Sequence, residues 1–321
     1  MNKAKIYRGF TLVELIVVII ILGIVSSGIF GFLSTGTQIY IDVTERDQIL
    51  SESRFLVERL NREIRYALPN SVRVKEYPEA ATPENVITHC LEFTPIEWSA
   101  FYNDVATGSE TPTSSLQAPD MIGSLITSQQ YDRTQADSHY VVIYPTQPVQ
   151  VYSALNINGG RRVGLDGVST DDVSSVPPDI NPGDNLVTVY FDNDSNELDD
   201  PTAVRFATDS TVRRFYIVSN PISYCYNQVT GIVTRHTDYG FLPDQTAQTG
   251  SGTTLGEGIL MAKNMINELS DDPNSGNNLG DPFRYSDPSL TRNAIVHLLL
   301  RFSRNDEVVV FNNEVHLRNV P

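Results

Sequence analysis

The 321-residue, 35.7 kDa chain is 40% hydrophobic and 19% charged, a composition that excludes disorder throughout and allows about two structural units at roughly 150 residues each. Its 23 basic residues against 39 acidic ones leave a formal charge of −16 and a pI near 4.6; that balance argues against a broad electrostatic grip on phosphate backbones, and so against nucleic acid as a partner. Two cysteines are too few for a disulfide scaffold or a four-thiolate zinc site, so stability must come mainly from a packed core, with room for one bridge.

Residues 15–33 form 19 consecutive uncharged and mostly apolar positions. At about 1.5 Å rise each they approach the roughly 30 Å hydrocarbon thickness of a bilayer. Lys3, Lys5 and Arg8 precede the run without any acid, and the excess of positive charge on the cytoplasmic side places residues 34–321 across the membrane. No A-x-A-like cleavage site follows the run and no cysteine stands near its end, which argues against an ordinary cleaved signal and a lipoprotein signal. Glu14 is the anomaly. An acid inside a spanning helix costs about 2.5 to 3.5 kcal/mol at its centre, so Glu14 either reaches the headgroups or faces a partner.

The residues in front of the run carry a resemblance. Arg8, Gly9, Phe10, Thr11, Leu12, Val13 and Glu14, followed by an apolar helix, resemble the class III signal of type IV pilins and type II secretion pseudopilins. The resemblance implies that a prepilin peptidase cuts between Gly9 and Phe10, methylates the new amine and leaves the apolar run in place. It divides the chain into a leader (1–9), a membrane and assembly helix (10–33), an amphipathic continuation (34–68) and a globular head (69–321). Losing Lys3, Lys5 and Arg8 takes the side-chain charge from −16 to −19 and exposes an ammonium group four residues from Glu14. Opposite charges 4 Å apart attract by about 4 kcal/mol at an effective dielectric near 20, so pairing of Glu14 with the Phe10 amine of a neighbouring subunit would offset its burial. The implied partners are the peptidase, other major and minor pilins, an inner-membrane assembly platform and, before assembly, lipid. The implied itinerary is a single-pass inner-membrane protein with a periplasmic head, then a pilus on the cell surface.

Beyond the run no proline occurs until Pro69, and Ile49, Leu56, Leu60, Ile64 and Leu68 recur at intervals of seven, four, four and four. This is a helical stripe. Charged residues between them, with Glu58 and Arg62 at i,i+4 spacing, predict a wet opposite face. Residues 10–68 therefore read as one helix of 59 residues and about 88 Å. The alternative is two helices with a break near residues 34–37. Gly23, Gly28, Gly31 and Gly36 loosen the helix or permit close packing.

Residues 69–321 read as mainly β. Apolar or β-branched runs at 86–93, 140–144, 186–191, 213–218, 222–226, 232–236, 294–302 and 308–311 are separated by turn-forming residues. The fold class is α+β and pilin-like: a long N-terminal helix packed on a mainly antiparallel β head. Both faces of 294–302 are partly apolar, as in an internal strand. Residues 259–269 are ambiguous, since Ile259, Ala262, Ile266 and Leu269 fit helical spacing while the resemblance favours a strand. Residues 103–136, 245–258 and 270–288 are polar enough to predict exposed loops.

Candidate chemistry in the head is sparse. Cys90 and Cys225 both fall in strand-like runs and, outside the cytoplasm, form a disulfide candidate of structural role, against the alternative of two buried thiols. Asp192, Asp194 and Asn196 open an acidic stretch that offers oxygen ligands for calcium, but an EF-hand loop would want Gly where Glu197 stands and Glu where Ala203 stands. A solvated acidic turn is the plainer reading, and no resident metal or cofactor is expected. His89, His139, His236, His297 and His316 are dispersed, and no H-E-x-x-H pair, G-x-S-x-G elbow or phosphate-cradling loop appears. An enzyme is not expected. The 253-residue head exceeds that usual for repeating major pilins, and the stretches Cys90 to Ile96, Tyr224 to Tyr226 and Glu314 to Pro321 resemble minor pilins of the mannose-sensitive haemagglutinin (MSHA) pilus. The size of the head points to a minor subunit used few times, at or near a filament tip; a tip adhesin that binds surface carbohydrate is a further reading compatible with it, which tyrosines and polar loops permit without identifying. The competing readings are a J-type pseudopilin of type II secretion and a periplasmic binding or enzymatic domain on an uncleaved signal anchor.

Overall fold

The computed structural model describes residues 10–79, 82–119, 139–169, 186–192, 201–245, 255–256, 258–269, 280–286, 293–305 and 307–317. The helix α1 (Leu12–Arg65) runs unbroken for 54 residues, about 81 Å. It passes residues 34–37 without interruption. Its last turn tightens, with Tyr66 N–H donating to the Glu63 carbonyl and Ala67 N–H to that of Ile64, and Pro69 then prevents continuation. Asn70 follows at φ +59° and turns the chain towards the sheets.

After the helix come β1 (Arg73–Glu79) and β2 (Thr82–Phe93). The next segment holds β3 (Ile96–Phe101), β4 (Ser115–Pro119), β5 (Tyr140–Ile143), the short helix α2 (Pro148–Tyr152), β6 (Asn158–Gly160), β7 (Arg162–Ser169), β8 (Leu186–Asp192), β9 (Arg205–Phe206) and β10 (Arg214–Val218). The chain returns through β11 (Ile222–Asn227), β12 (Ile232–His236), β13 (Ile259–Ala262), β14 (Phe283–Ser286), β15 (Ile295–Arg304) and β16 (Glu307–His316). The strand orders are β1-β2-β11-β12-β13, β3-β10-β5-β7-β8-β4 and β14-β15-β16, with β6 and β9 as a small parallel pair. All three larger sheets are antiparallel. A bridge between Met265 and Phe302 links the end of the first sheet to β15.

The order of the strands nests one lobe within another. Phe93 at the end of β2 pairs with Ile222 at the start of β11, and the whole six-stranded sheet lies in the chain between them. The hydrophobic cores segregate in the same way. The outer core combines Ile49, Leu56, Leu60 and Ile64 of α1 with Leu91, Phe93, Tyr224, Val296, Leu298, Leu300 and Phe302. The inserted core contains Val141, Ile143, Val163, Val189, Phe191, Phe206 and Phe215. Alternation explains the outer core: Val296, Leu298, Leu300 and Phe302 of β15 are buried while their neighbours are half-buried, as expected for a strand flanked by β14 and β16.

A seam joins the lobes. Leu68, just past the helix, packs with Val142, Val151, Tyr152, Tyr216 and Val218 of the inserted lobe. The Asn70 side-chain amide donates to the Pro145 carbonyl (2.8 Å), and the Tyr152 hydroxyl donates to that of Ser71 (2.9 Å). The Arg73 guanidinium lies over the Tyr152 ring at 3.7 Å and pairs with Glu92, which also accepts from Tyr239. Burial pushes the Glu92 carboxyl up despite these partners. Arg162 is buried beside Phe241, 3.7 Å from its ring centre, with Nε donating to the Val151 carbonyl; desolvation lowers its guanidinium to about 10.

One expectation is corrected, and the open choice at 259–269 is decided for a strand over Ile259–Ala262. The stretches 103–136 and 270–288 are not wholly exposed loops, because Val105, Leu116 and Ala118 are buried around β4 and Phe283 is buried on β14. Apolar side chains alternating among polar neighbours place these strands in the sheets. In 259–269 the helical spacing gives way to β13, whose pairing with Val233, Thr234 and Arg235 fixes an extended chain.

Candidate functional site

Among the described residues, none before Ile49 is buried in the protein. Phe10, Phe30, Phe32 and Tyr40 are 73, 75, 78 and 72% exposed. A helix apolar all round requires lipid or other apolar helices around it. The uncovered part spans about 37 residues, roughly 55 Å, which exceeds the roughly 30 Å hydrocarbon core. With residues 15–33 in lipid, Ile39, Tyr40, Ile41 and Val43 still stand exposed beyond it. The polar residues around them can meet water, and these four side chains form an apolar surface open to protein.

Thr11 caps the helix in extended conformation, and its Oγ1 accepts from the Glu14 N–H at 3.3 Å. Thr11 and Glu14 have the T-x-x-E spacing of a capping box, and the carboxylate in the first turn complements the positive end of the helix. Glu14 thus sits in the first turn of the helix. Its local capping role was missed in the sequence, although T-x-x-E before an apolar run was the available signal. Phe10 precedes the cap and is exposed, whereas Gly9 lies outside the described residues. A Cβ added at Gly23, Gly28, Gly31 or Gly36 would meet nothing within 4 Å, and the helix continues through all four.

Against this geometry the comparisons with known proteins are specific and local. Residues 5–30 match the prokaryotic N-terminal methylation motif. The chain carries a prepilin signal. The match supports a type IV pilin- or pseudopilin-like structural subunit, processed by prepilin peptidase, assembled with other pilins and anchored in the membrane by its helix. No curated protein and no solved structure matches the chain.

The head buries the prepilin helix from Ile49 onward; before it, Glu45 is half-buried and Arg46 pairs with Glu307. Glu63 accepts from Arg59 Nε (2.9 Å), Arg235 Nε (3.0 Å) and the Tyr224 hydroxyl (2.8 Å). Burial alone would raise the Glu63 carboxyl, but these donors outweigh it and hold it below its ordinary value. Burial and the facing Glu63 carboxylate push the Tyr224 hydroxyl up. The expected wet face is interrupted here. The i,i+4 ion pair is Arg59 with Glu63, and Glu63 turns towards β11 and β12.

Cys90 and Cys225 are directly opposed on β2 and β11, their Cα atoms 4.1 Å apart and their sulfurs bonded at 2.02 Å. The bridge staples the stem from which the inserted lobe departs. Of the calcium candidates, Asp192 is the buried last residue of β8, paired with Gly164, while Asp194 and Asn196 lie outside the described residues. Among the described residues no three His, Cys, Asp or Glu side chains gather as metal ligands. His89 is buried on β2, where desolvation lowers its imidazole to about 3. His297 instead faces Glu314 on the neighbouring strand at 3.2 Å.

Proposed function

We propose that the chain is a minor pilin of an MSHA-like type IV pilus, resembling the MshO subunit. Cleavage occurs between Gly9 and Phe10, the new Phe10 amine is methylated, and the helix is drawn from the inner membrane into the filament. There Glu14 pairs with the Phe10 amine of an adjoining subunit. The head passes from the periplasm to the cell surface, at or near the filament tip.

The observation that carries this reading is the methylation motif at the start of an apolar helix on which no described residue before Ile49 is buried by the head. A large inserted lobe supports a subunit used few times, since a repeating subunit must fit the same head into every turn of the fibre. The stretches resembling MSHA minor pilins lie at Cys90 to Phe93 on β2, Tyr224 to Tyr226 on β11 and Glu314 to His316 on β16. All belong to the lobe that grips the helix. The test is mass spectrometry of the mature N-terminus from cells: N-methylated Phe10 is expected. An intact Met1, or cleavage beyond residue 25, would favour a signal-anchored periplasmic domain. Loss of pili, rather than of protein secretion, on deletion of the gene separates the pilus from a type II secretion system.

A further inference from the structure

Sheet edges expose unpaired backbone N–H and C=O groups, and folded proteins usually blunt them with short strands, bulges, proline or charge. Among the described residues, five of the six edges of the three larger sheets follow that rule. β1 carries Pro78 and two register shifts. β13 is four residues long with a shift opposite it. β3 pairs with β10 through a shift, β4 is five residues ending in Pro119, and β14 is four residues long. β16 has none of these protections. It pairs with β15 over ten consecutive residues without a shift, and neither charge nor proline interrupts residues 308–313. No described strand pairs with its outer side. Val308 and Val310 are 48 and 52% exposed on the face that also carries Asn312, Glu314 and His316.

We infer that β16 is an acceptor edge for an extended strand from the head of a different filament subunit. This inference rests on the pilin reading and adds to it a partner-selecting surface in the head. The location favours a filament neighbour as occupant, because β16 adjoins α1. Glu307 at its start pairs with Arg46 at 3.2 Å, and Asn305 in the preceding turn lines a groove with Phe30, Leu33, Thr37 and Ile41 of the uncovered helix. Whatever packs along that helix therefore passes the edge. The chemistry specifies the incoming strand. Backbone hydrogen bonds supply affinity, apolar residues at alternate positions meet Val308 and Val310, and a basic residue meets Glu314. A second copy of this acidic chain would bring further acid to the site.

The test places a photo-crosslinking amino acid at Asn312, or at the exposed Val229 as a control, in full-length protein in cells that make pili, and reads adducts in both membrane and sheared-filament fractions. An adduct with another pilin at Asn312 and not at Val229 is expected. No adduct, a self-adduct only or a lipid adduct only would overturn the inference. V308K/V310K places two lysines on the edge and should remain processed at Phe10, while its recovery in sheared filaments falls about tenfold, the equivalent of losing one or two net hydrogen bonds. Normal recovery would also overturn the edge. Formation of the Cys90–Cys225 bridge on non-reducing gels reports that the variant has folded; if it has not, the Asn312 adduct decides alone. Absence of wild-type protein from filaments would count against the pilin reading, whereas the Asn312 adduct in membranes still decides the edge.

Discussion

The outer and inserted lobes are both built on antiparallel sheets with apolar cores, yet only one contains the helix. The outer core takes Ile49, Leu56, Val57, Leu60 and Ile64 from α1, so its folding is coupled to the assembly device. The inserted core takes nothing from the helix and leaves and rejoins the outer sheet at neighbouring residues. A chain can therefore enlarge what it displays without altering how it is held.

The largest expected effect is on the staple of the outer sheet, at the stem from which the inserted lobe departs. Replacing Cys90 and Cys225 by alanine should cost about 4 to 5 kcal/mol in the chain-entropy view of a closed loop of this size, read as a shift in the denaturation midpoint. Both lobes should suffer, because the stem serves both. Core truncations should then separate them. Phe191→Ala should cost about 3 to 5 kcal/mol and loosen the inserted lobe, while Leu60→Ala should cost about 2 to 5 kcal/mol and release the helix from the sheet. Limited proteolysis distinguishes the two, and only Leu60→Ala should sharply reduce filament recovery. Equal loss from both would break the division of labour.

Acid should find the outer lobe first. His89 titrates near 3 in the fold against an ordinary 6.5, and burial also lowers His236. A histidine held neutral contributes its full stability above 6.5 and loses it as the pH falls, by about 2 kcal/mol for His89 at pH 5. The depressed Glu63 adds a further loss only below its ordinary 4.5. Glu92 has the opposite sign: its raised carboxyl favours the fold in acid, and that contribution fades as the pH rises through its folded value. Hydrogen exchange at pH 5 should show faster exchange in β2 and β12 than in β5 and β8. The smallest effect is expected at the exposed Arg46–Glu307 pair, where Arg46→Ala should change stability by less than about 1 kcal/mol.

How much of this was legible in the sequence depended on whether a pattern was local. Ile49, Leu56, Leu60 and Ile64 of the stripe are buried in the outer core, because 3.6-residue periodicity is written in consecutive turns; Leu68, past the end of the helix, is buried in the seam instead. The prepilin signal was likewise legible, as a contiguous set of residues. The nested lobe was not, since the pairing of Phe93 with Ile222 joins residues far apart in the chain and no composition shift marks the insertion. β4 and β14 were hidden among polar residues because short strands bury only a few alternate side chains. The Glu63 clamp escaped notice for a related reason: spacing marks charged residues as wet, while Tyr224 and Arg235 arrive from distant strands.

The central claim is that Glu14 acts through its charge on a neighbouring subunit and not merely as a helix cap. Glu14→Gln keeps a side chain able to close the capping box with Thr11 but removes the charge, and quantifying this variant in sheared filaments against the membrane fraction separates the two roles. The account predicts cleaved, methylated protein that stays in the membrane, with incorporation reduced at least tenfold, as a loss of more than about 1.4 kcal/mol requires. Incorporation at the wild-type level would contradict it.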